Sequence, residues 1–229
     1  MSETWPAPQC LIFDLDGTLV DSELLCNQAF LDLLPGLQDP LAVLTERYRG
    51  QKLASILVDL AERLGAPLSA DFELRYRSRV AELFETQLKP MPGAAMLLQN
   101  LPLPFCIASS GPLPKIHLAL EVSGLAPYVE ESRVFSSYSV GAWKPDPGLF
   151  LHAAAAMGFE PAACVVVEDS AVGIAAAGAA GMRALWLWPE ARTMPQDVEA
   201  IQHLSEVSTW LHRAASSSWP YQALTGATP

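Results

Sequence analysis

Phe13-Asp14-Leu15-Asp16-Gly17-Thr18-Leu19-Val20-Asp21-Ser22 carries the first apolar run of the chain, residues 10–15, into a polar turn. A run that is apolar throughout, rather than alternating, reads as a strand covered on both faces, as in a parallel sheet. Carboxylates at i and i+2 leave an extended backbone on the same side. Asp14 and Asp16 therefore emerge together where the strand stops, at the carboxyl edge where open α/β sheets bind ligands. An Asp-Gly turn after a strand is common in any protein, so the segment needs support from the rest of the chain.

That support begins with rhythm. Further apolar runs occupy residues 103–108, 133–136, 163–167 and 183–188, with a weaker one near 198–202. Helical patterns lie between or before them at 92–101, 114–124, 147–158 and 170–181. Strand–helix alternation predicts an α/β fold, a doubly wound parallel sheet. The first interval departs from it. Leu53, Ile56, Leu57, Leu60 and Leu64 have the spacing of one buried helical stripe, and Val80, Leu83, Phe84 and Leu88 form another. Asp39-Pro40 predicts the cap and first turn of a helix running to Arg49. Residues 22–89 are accordingly expected to form an inserted helical domain, with 1–21 and 90–229 as the α/β body. No internal repeat is visible, and the Ser-, Pro- and Thr-rich tail from Ala214 is expected to fray.

Composition excludes several classes. Of 229 residues 51% are hydrophobic and only 17% charged, so a large core is within reach and a disordered or low-complexity chain is not. The formal charge of -11 disfavours a nucleic-acid partner. Residues 22–90 hold 8 of the basic and 10 of the acidic residues, leaving 6 and 15 to the body, so the cations gather in the insertion. Cys10, Cys26, Cys106 and Cys164 form no CxxC pair, which predicts free thiols and a reducing, cytoplasmic setting. No signal peptide or membrane span is visible. The oligomeric state is open, and a monomer is compatible with the sequence.

Three further strand ends carry chemistry. Val165-Val166-Val167-Glu168-Asp169-Ser170 repeats the pattern of an apolar strand ending in acids. With Asp14 and Asp16 at the same edge, converging carboxylates call for a cation, and hard oxygen donors suit Mg2+. Asp169-Ser170 can cap the following helix at the same time. Ala108-Ser109-Ser110-Gly111 sets a hydroxyl and backbone N–H groups before a helix, a phosphate cradle. Trp143-Lys144-Pro145-Asp146-Pro147 places a lone lysine between residues stiffened by proline.

In order and spacing, Asp14-x-Asp16-Gly17-Thr18, Ser109, Lys144-Pro145-x-Pro147 and Glu168-Asp169 resemble the four motifs of the haloacid dehalogenase (HAD) superfamily. The insertion after the first motif matches that superfamily's helical cap. The likeness spans nearly the whole chain and is greatest to its phosphoglycolate phosphatase and β-phosphoglucomutase group, including small sugar-phosphate phosphatases. It implies a Rossmann-like core and an aspartyl-phosphate formed at Asp14. Mg2+ would be held by Asp14 and Asp169, by the backbone carbonyl of Asp16, and by Glu168 directly or from one layer behind. Asp16 would be the acid and base, Lys144 a counter-charge, and Ser109 with Ser110 and Gly111 the phosphoryl holders. Arg49, Gly50 and Lys52 stand at the superfamily's substrate loop; exposed helix-end cations are the plainer reading of the first and last.

Asp16 separates the chain from haloacid dehalogenases, which lack that second acid, and from phosphonatases, which typically carry alanine there. β-Phosphoglucomutases carry a histidine where this chain has Cys26, so a phosphatase acting on a small phosphorylated metabolite, such as a sugar or sugar-acid phosphate, is favoured over a mutase. A phosphoacceptor signalling module shares the acids, hydroxyl and lysine but not the DxD spacing or the long cap. His117, His152, His203 and His212, in helical contexts, suggest no metal site. The small residues of 173–181 suit close helix–sheet packing, and Trp186 and Trp188 are expected in or near the core.

Overall fold

The computed structural model describes residues 5–188, 195 and 197–216. Six strands, β1 (Cys10–Phe13), β2 (Phe105–Ser109), β3 (Val134–Ser136), β4 (Cys164–Glu168), β5 (Arg183–Leu187) and β6 (Val198–Ile201), form one sheet in the order β3-β2-β1-β4-β5-β6. Every pairing is parallel. The expected doubly wound α/β fold is present, and its strands match the apolar runs to within two residues at either end.

Alternation along the strands sorts side chains between two layers. Leu11, Phe13, Ile107, Val165, Val167 and Leu185 enter one apolar cluster. Cys10, Ile12, Cys106, Ala108, Cys164 and Val166 enter the other, under α8 (Gly148–Met157) and α9 (Ala171–Ala179). β1, β2 and β4 are buried throughout, which is why their sequences lack polar alternation. The four cysteines are free, three of them fully inside.

Four helices, α1 (Glu23–Leu33), α2 (Leu41–Tyr48), α3 (Leu53–Leu64) and α4 (Phe72–Gln87), fill the interval after β1, before α5 (Ala94–Asn100). Their chain leaves and returns side by side: Val20 bridges Pro90, and the Asp21 N–H donates to the Lys89 carbonyl at 3.0 Å. Phe30 of α1 stacks on Tyr76 of α4 with ring centres 4.3 Å apart. Of the α3 stripe Ile56 and Leu60 are buried and Leu53, Leu57 and Leu64 half-buried against the same cluster, while Val80, Leu83 and Phe84 of α4 are buried. The remaining elements are α6 (Leu113–Val122), the short α7 (Ser137–Val140) and α10 (Ser205–Ser216).

Three local expectations are corrected. Asp39 does not cap α2, because Arg63 of α3 takes its carboxylate and Pro40 holds the cap position. Trp188 is 39% exposed at the end of β5, whereas Trp186 is buried. His203 lies in the bend before α10 rather than in a helix. Beyond Ser216 the tail lies outside the described residues, and among these no helix is long and apolar enough to cross a membrane.

Candidate active site

The strand order reverses between β1 and β4, which makes the crevice beyond their carboxyl ends the natural ligand site. Asp14 begins where β1 ends, its N–H donating to the Val167 carbonyl at 3.0 Å. Lys144 Nζ reaches in from the loop after α7, 2.5 Å from Asp14 Oδ1 and 2.6 Å from Glu168 Oε2. The other oxygen of Glu168 accepts from the Ser170 N–H at 3.0 Å and its hydroxyl at 2.7 Å. Ser170 caps α9 through its hydroxyl, so capping and site-building coexist there.

Asp14, Glu168 and Asp169 each present an oxygen within 4.8 Å of the others, and all three residues are buried. Burial first, then the charge of Glu168, pushes the carboxyls of Asp14 and Asp169 well above the usual range. Burial works against the charged form of Lys144, but Asp14 and Glu168 more than offset it and hold the ammonium above its ordinary value. Three crowded, hard oxygen donors with a single buried ammonium among them fit a small divalent cation such as Mg2+. Gly17, at φ +81°, lets the turn after β1 run against this cluster: a Cβ there would lie 2.4 Å from Asp169 Oδ2.

Asp16 turns its carboxylate away from the trio. Ser22 Oγ and Lys115 Nζ each donate to Oδ1 at 2.6 Å, and Ser109 Oγ donates to Oδ2 at 3.4 Å. Burial would raise this carboxyl, yet Lys115, supported by Ser22 and Lys144, holds it below the usual carboxylate range. Lys115 was missed in the sequence. Its one signal is a cation in the first turn of α6, at the unfavourable end of the helix dipole, just after Ser110-Gly111.

Above this floor lies a cavity of about 670 Å³, walled by α1, α4 and the α2–α3 loop. Ser110, Gly111, Gly50 and Lys52 all line it; Arg49 does not. Instead Arg49 Nη1 donates to Asp169 Oδ2 at 3.1 Å. Gly50, at φ +68°, brings that loop so close to α9 that a Cβ would lie 2.7 Å from Ser170 Cβ and from Val172 Cγ2. Lys52 Nζ sits 3.6 Å from the centre of the ring of Trp143, the residue before Lys144. The Gly111 N–H donates to Ser109 Oγ at 3.0 Å, so that one donor of the expected cradle is engaged within the loop. Cys26 lines the cavity with its thiol pushed up to about 12, chiefly by burial. Glu23 also lines it, and burial followed by the charge of Asp16 pushes its carboxyl up to about 8. None of the four histidines is among the lining residues.

The family model for haloacid dehalogenase-like hydrolases matches residues 8–181, which contain every one of these groups. The chain belongs to the haloacid dehalogenase-like hydrolase family. The 6-phosphogluconate phosphatase of Escherichia coli K12 is 34% identical to this hydrolase over 206 residues, covering 87% of this chain and 92% of that one. Hexitol phosphatase A of the same organism is 33% identical over 208 residues, covering 88% and 89%. Among solved structures, a HAD family hydrolase from Deinococcus radiodurans with bound phosphate and sodium superposes with a TM-score of 0.74 at 30% identity, covering 92% of this hydrolase and 98% of that chain.

Proposed function

We propose that this hydrolase is a Mg2+-dependent phosphatase that cleaves a small phosphorylated sugar or sugar acid through an aspartyl-phosphate at Asp14. The observation that carries the proposal is the approach of Lys144 Nζ to Asp14 at 2.5 Å on the cavity floor. A carboxylate attacking a phosphate dianion meets electrostatic repulsion, and a buried ammonium beside the nucleophile offsets it. The phosphatase names of the E. coli relatives support the same reading.

In the first half-reaction an oxygen of Asp14 bonds to phosphorus as the ester P–O bond breaks in line. Asp16 delivers a proton to the departing alcohol oxygen. In the second, water bonds to phosphorus, the bond to Asp14 breaks, and Asp16 takes the proton. Lys115 and Ser22 favour the ionised form of Asp16, the base required in the second step. A phosphate dianion beside it disfavours that form, which is the change the acid role requires. Ser109 with the N–H groups near Ser110 and Gly111 would hold phosphoryl oxygens.

Asp14, Asp169 and the Asp16 backbone carbonyl would hold Mg2+, and Glu168, engaged by Lys144 and Ser170, would join or orient this set. Once bound, the ion neutralises charge on the phosphoryl oxygens. The helices of residues 22–89 act as a cap that restricts entry to small molecules, with Gly50 and Lys52 facing the substrate and Arg49 joining the cap to Asp169. Cys26 offers no base at the place where a mutase would need one, which favours transfer to water.

Phosphate release from a panel of phosphorylated sugars, sugar acids and polyols in Mg2+ tests the reading. Rapid acid quench should trap an acyl phosphate that hydroxylamine cleaves. Absence of release from every monoester by the metal-loaded protein would overturn it.

A further inference from the structure

α1 forms the cavity wall beside the proposed acid–base group: Ser22, which precedes the helix, donates to Asp16 at 2.6 Å. Two side chains on this wall are acceptors lacking donors. Glu23 opens α1 and lines the cavity, and among the described residues its carboxylate has no hydrogen-bond or ion-pair partner. Asn27, one turn later on the same face, also lines the cavity and is 2% exposed. Its Nδ2 donates to the Glu23 carbonyl at 2.9 Å, which leaves Oδ1 as the free end of the amide. That oxygen is buried with no partner. A buried acceptor without a donor is costly, and the cost is recovered only when a donor arrives.

The neighbouring cations are engaged elsewhere: Lys115 is taken by Asp16, Arg49 by Asp169, and Lys144 by Asp14 and Glu168. The rest of the wall is apolar or aromatic, with Phe30 and Tyr76 behind. An alkyl or aryl leaving group would leave both acceptors unmet. Hydroxyl groups are donors of the right size and charge.

We propose that Glu23 and Asn27 are specificity-determining residues that read the hydroxyls of the leaving alcohol, making phosphate esters of polyhydroxy alcohols the substrate class. The proposal rests on the phosphatase reading above. Open-chain polyols and cyclic sugars share this chemistry, and the substrates of the test distinguish them.

The experiment measures kcat/KM in Mg2+ for a hexitol phosphate, a hexose 6-phosphate and n-hexyl phosphate, using the parent, Glu23→Gln, Glu23→Leu and Asn27→Leu. The reading is the preference for each hydroxylated ester over the hexyl ester. The parent should prefer at least one hydroxylated ester, and whichever it prefers identifies the open or cyclic form. Glu23→Leu and Asn27→Leu should each reduce that preference by about ten- to a hundredfold. Glu23→Gln, which keeps one acceptor oxygen, should reduce it less. Competitive inhibition by inorganic phosphate, which has no carbon-bound hydroxyl, reports that the floor of each variant is intact. A preference within threefold of the parent in all variants overturns the proposal, as does an equal loss on all three esters. Parent activity on hexyl phosphate equal to that on the hydroxylated esters removes the proposal alone. Parent inactivity on every ester removes the phosphatase reading, and this proposal with it.

Discussion

Lys115 Nζ stands 2.6 Å from Oδ1 of Asp16 across 99 residues of sequence. The two aspartates of the first turn are thereby divided between two lysines, Lys144 on Asp14 and Lys115 on Asp16. One aspartate sits in a crowd of acids with its carboxyl raised, and the other is held in its ionised form. Groups whose environments push them apart in this way are how two carboxylates take different roles.

Lys115→Met should therefore act on the pH profile. Without the ammonium, burial is no longer offset, and the carboxyl of Asp16 rises. The acid limb of kcat should shift to higher pH, with kcat at pH 6 reduced about tenfold or more. Stability should follow the same sign. A depressed carboxyl contributes stability that is present above its unfolded pKa and lost as pH falls through the folded one. The variant lacks that contribution and should begin acid unfolding at higher pH. A kcat profile identical to the parent's would separate Lys115 from the proton of Asp16.

Asp14→Asn should cost at least ~10³-fold in turnover, in line with the loss of other essential nucleophiles. The amide is a poor nucleophile but nearly the same shape. It also removes one charge from the crowd that Glu168 and Asp169 share, and Lys144 keeps Glu168 as a partner. The melting temperature should match or exceed the parent's. Turnover within tenfold of the parent, measured on any good substrate, would take the nucleophile's role away from Asp14.

How far the sequence alone reaches can be judged at single residues. The strands were legible because both faces of β1, β2 and β4 are buried and their composition says so without tertiary context. The acids were legible because Asp14, Asp16, Glu168 and Asp169 all fall where an apolar run stops. Lys115 was not, because its role depends on α6 returning to the sheet edge beside Asp16. Glu23 and Asn27 were read only as helix, since the sequence cannot show which face of α1 meets the cavity. Arg49 was placed on the right loop, but its contact with Asp169 depends on how closely Gly50 lets that loop approach α9.

Removal of divalent metal should abolish turnover, and Ca2+ should not restore it. Calcium's larger shell favours more oxygens and can draw in both oxygens of the Asp14 carboxylate. A thermal readout is independent of activity. If Asp14, Glu168 and Asp169 bind the ion only when folded, Mg2+ at a hundred times its Kd should add about 2.7 kcal/mol of stability. Full activity in excess chelator, together with no Mg2+-dependent rise in melting temperature, would exclude the metal site.

The last expectation concerns the far end of the substrate. Four cations line the cavity, Lys52, Arg77, Lys115 and Lys144. Arg77 is paired with Glu73, Lys115 with Asp16, and Lys144 with Asp14 and Glu168. Among the described residues Lys52 has no carboxylate partner; it rests on the Trp143 ring, 3.6 Å from its centre. An ammonium held by an aromatic face retains donors for an anionic group. A sugar-acid phosphate can therefore offer its hydroxyls to α1 and its carboxylate to Lys52. A charge-assisted contact of this kind contributes ~1.5–3 kcal/mol when desolvated. Lys52→Ala should then reduce kcat/KM for a sugar-acid phosphate by roughly ten- to a hundredfold. The loss on a neutral polyol phosphate or on p-nitrophenyl phosphate should be smaller, reflecting only the contact with Trp143. Equal losses on acidic and neutral esters would assign Lys52 to holding the cap loop against Trp143, and would leave the carboxylate of the substrate without a partner on this wall.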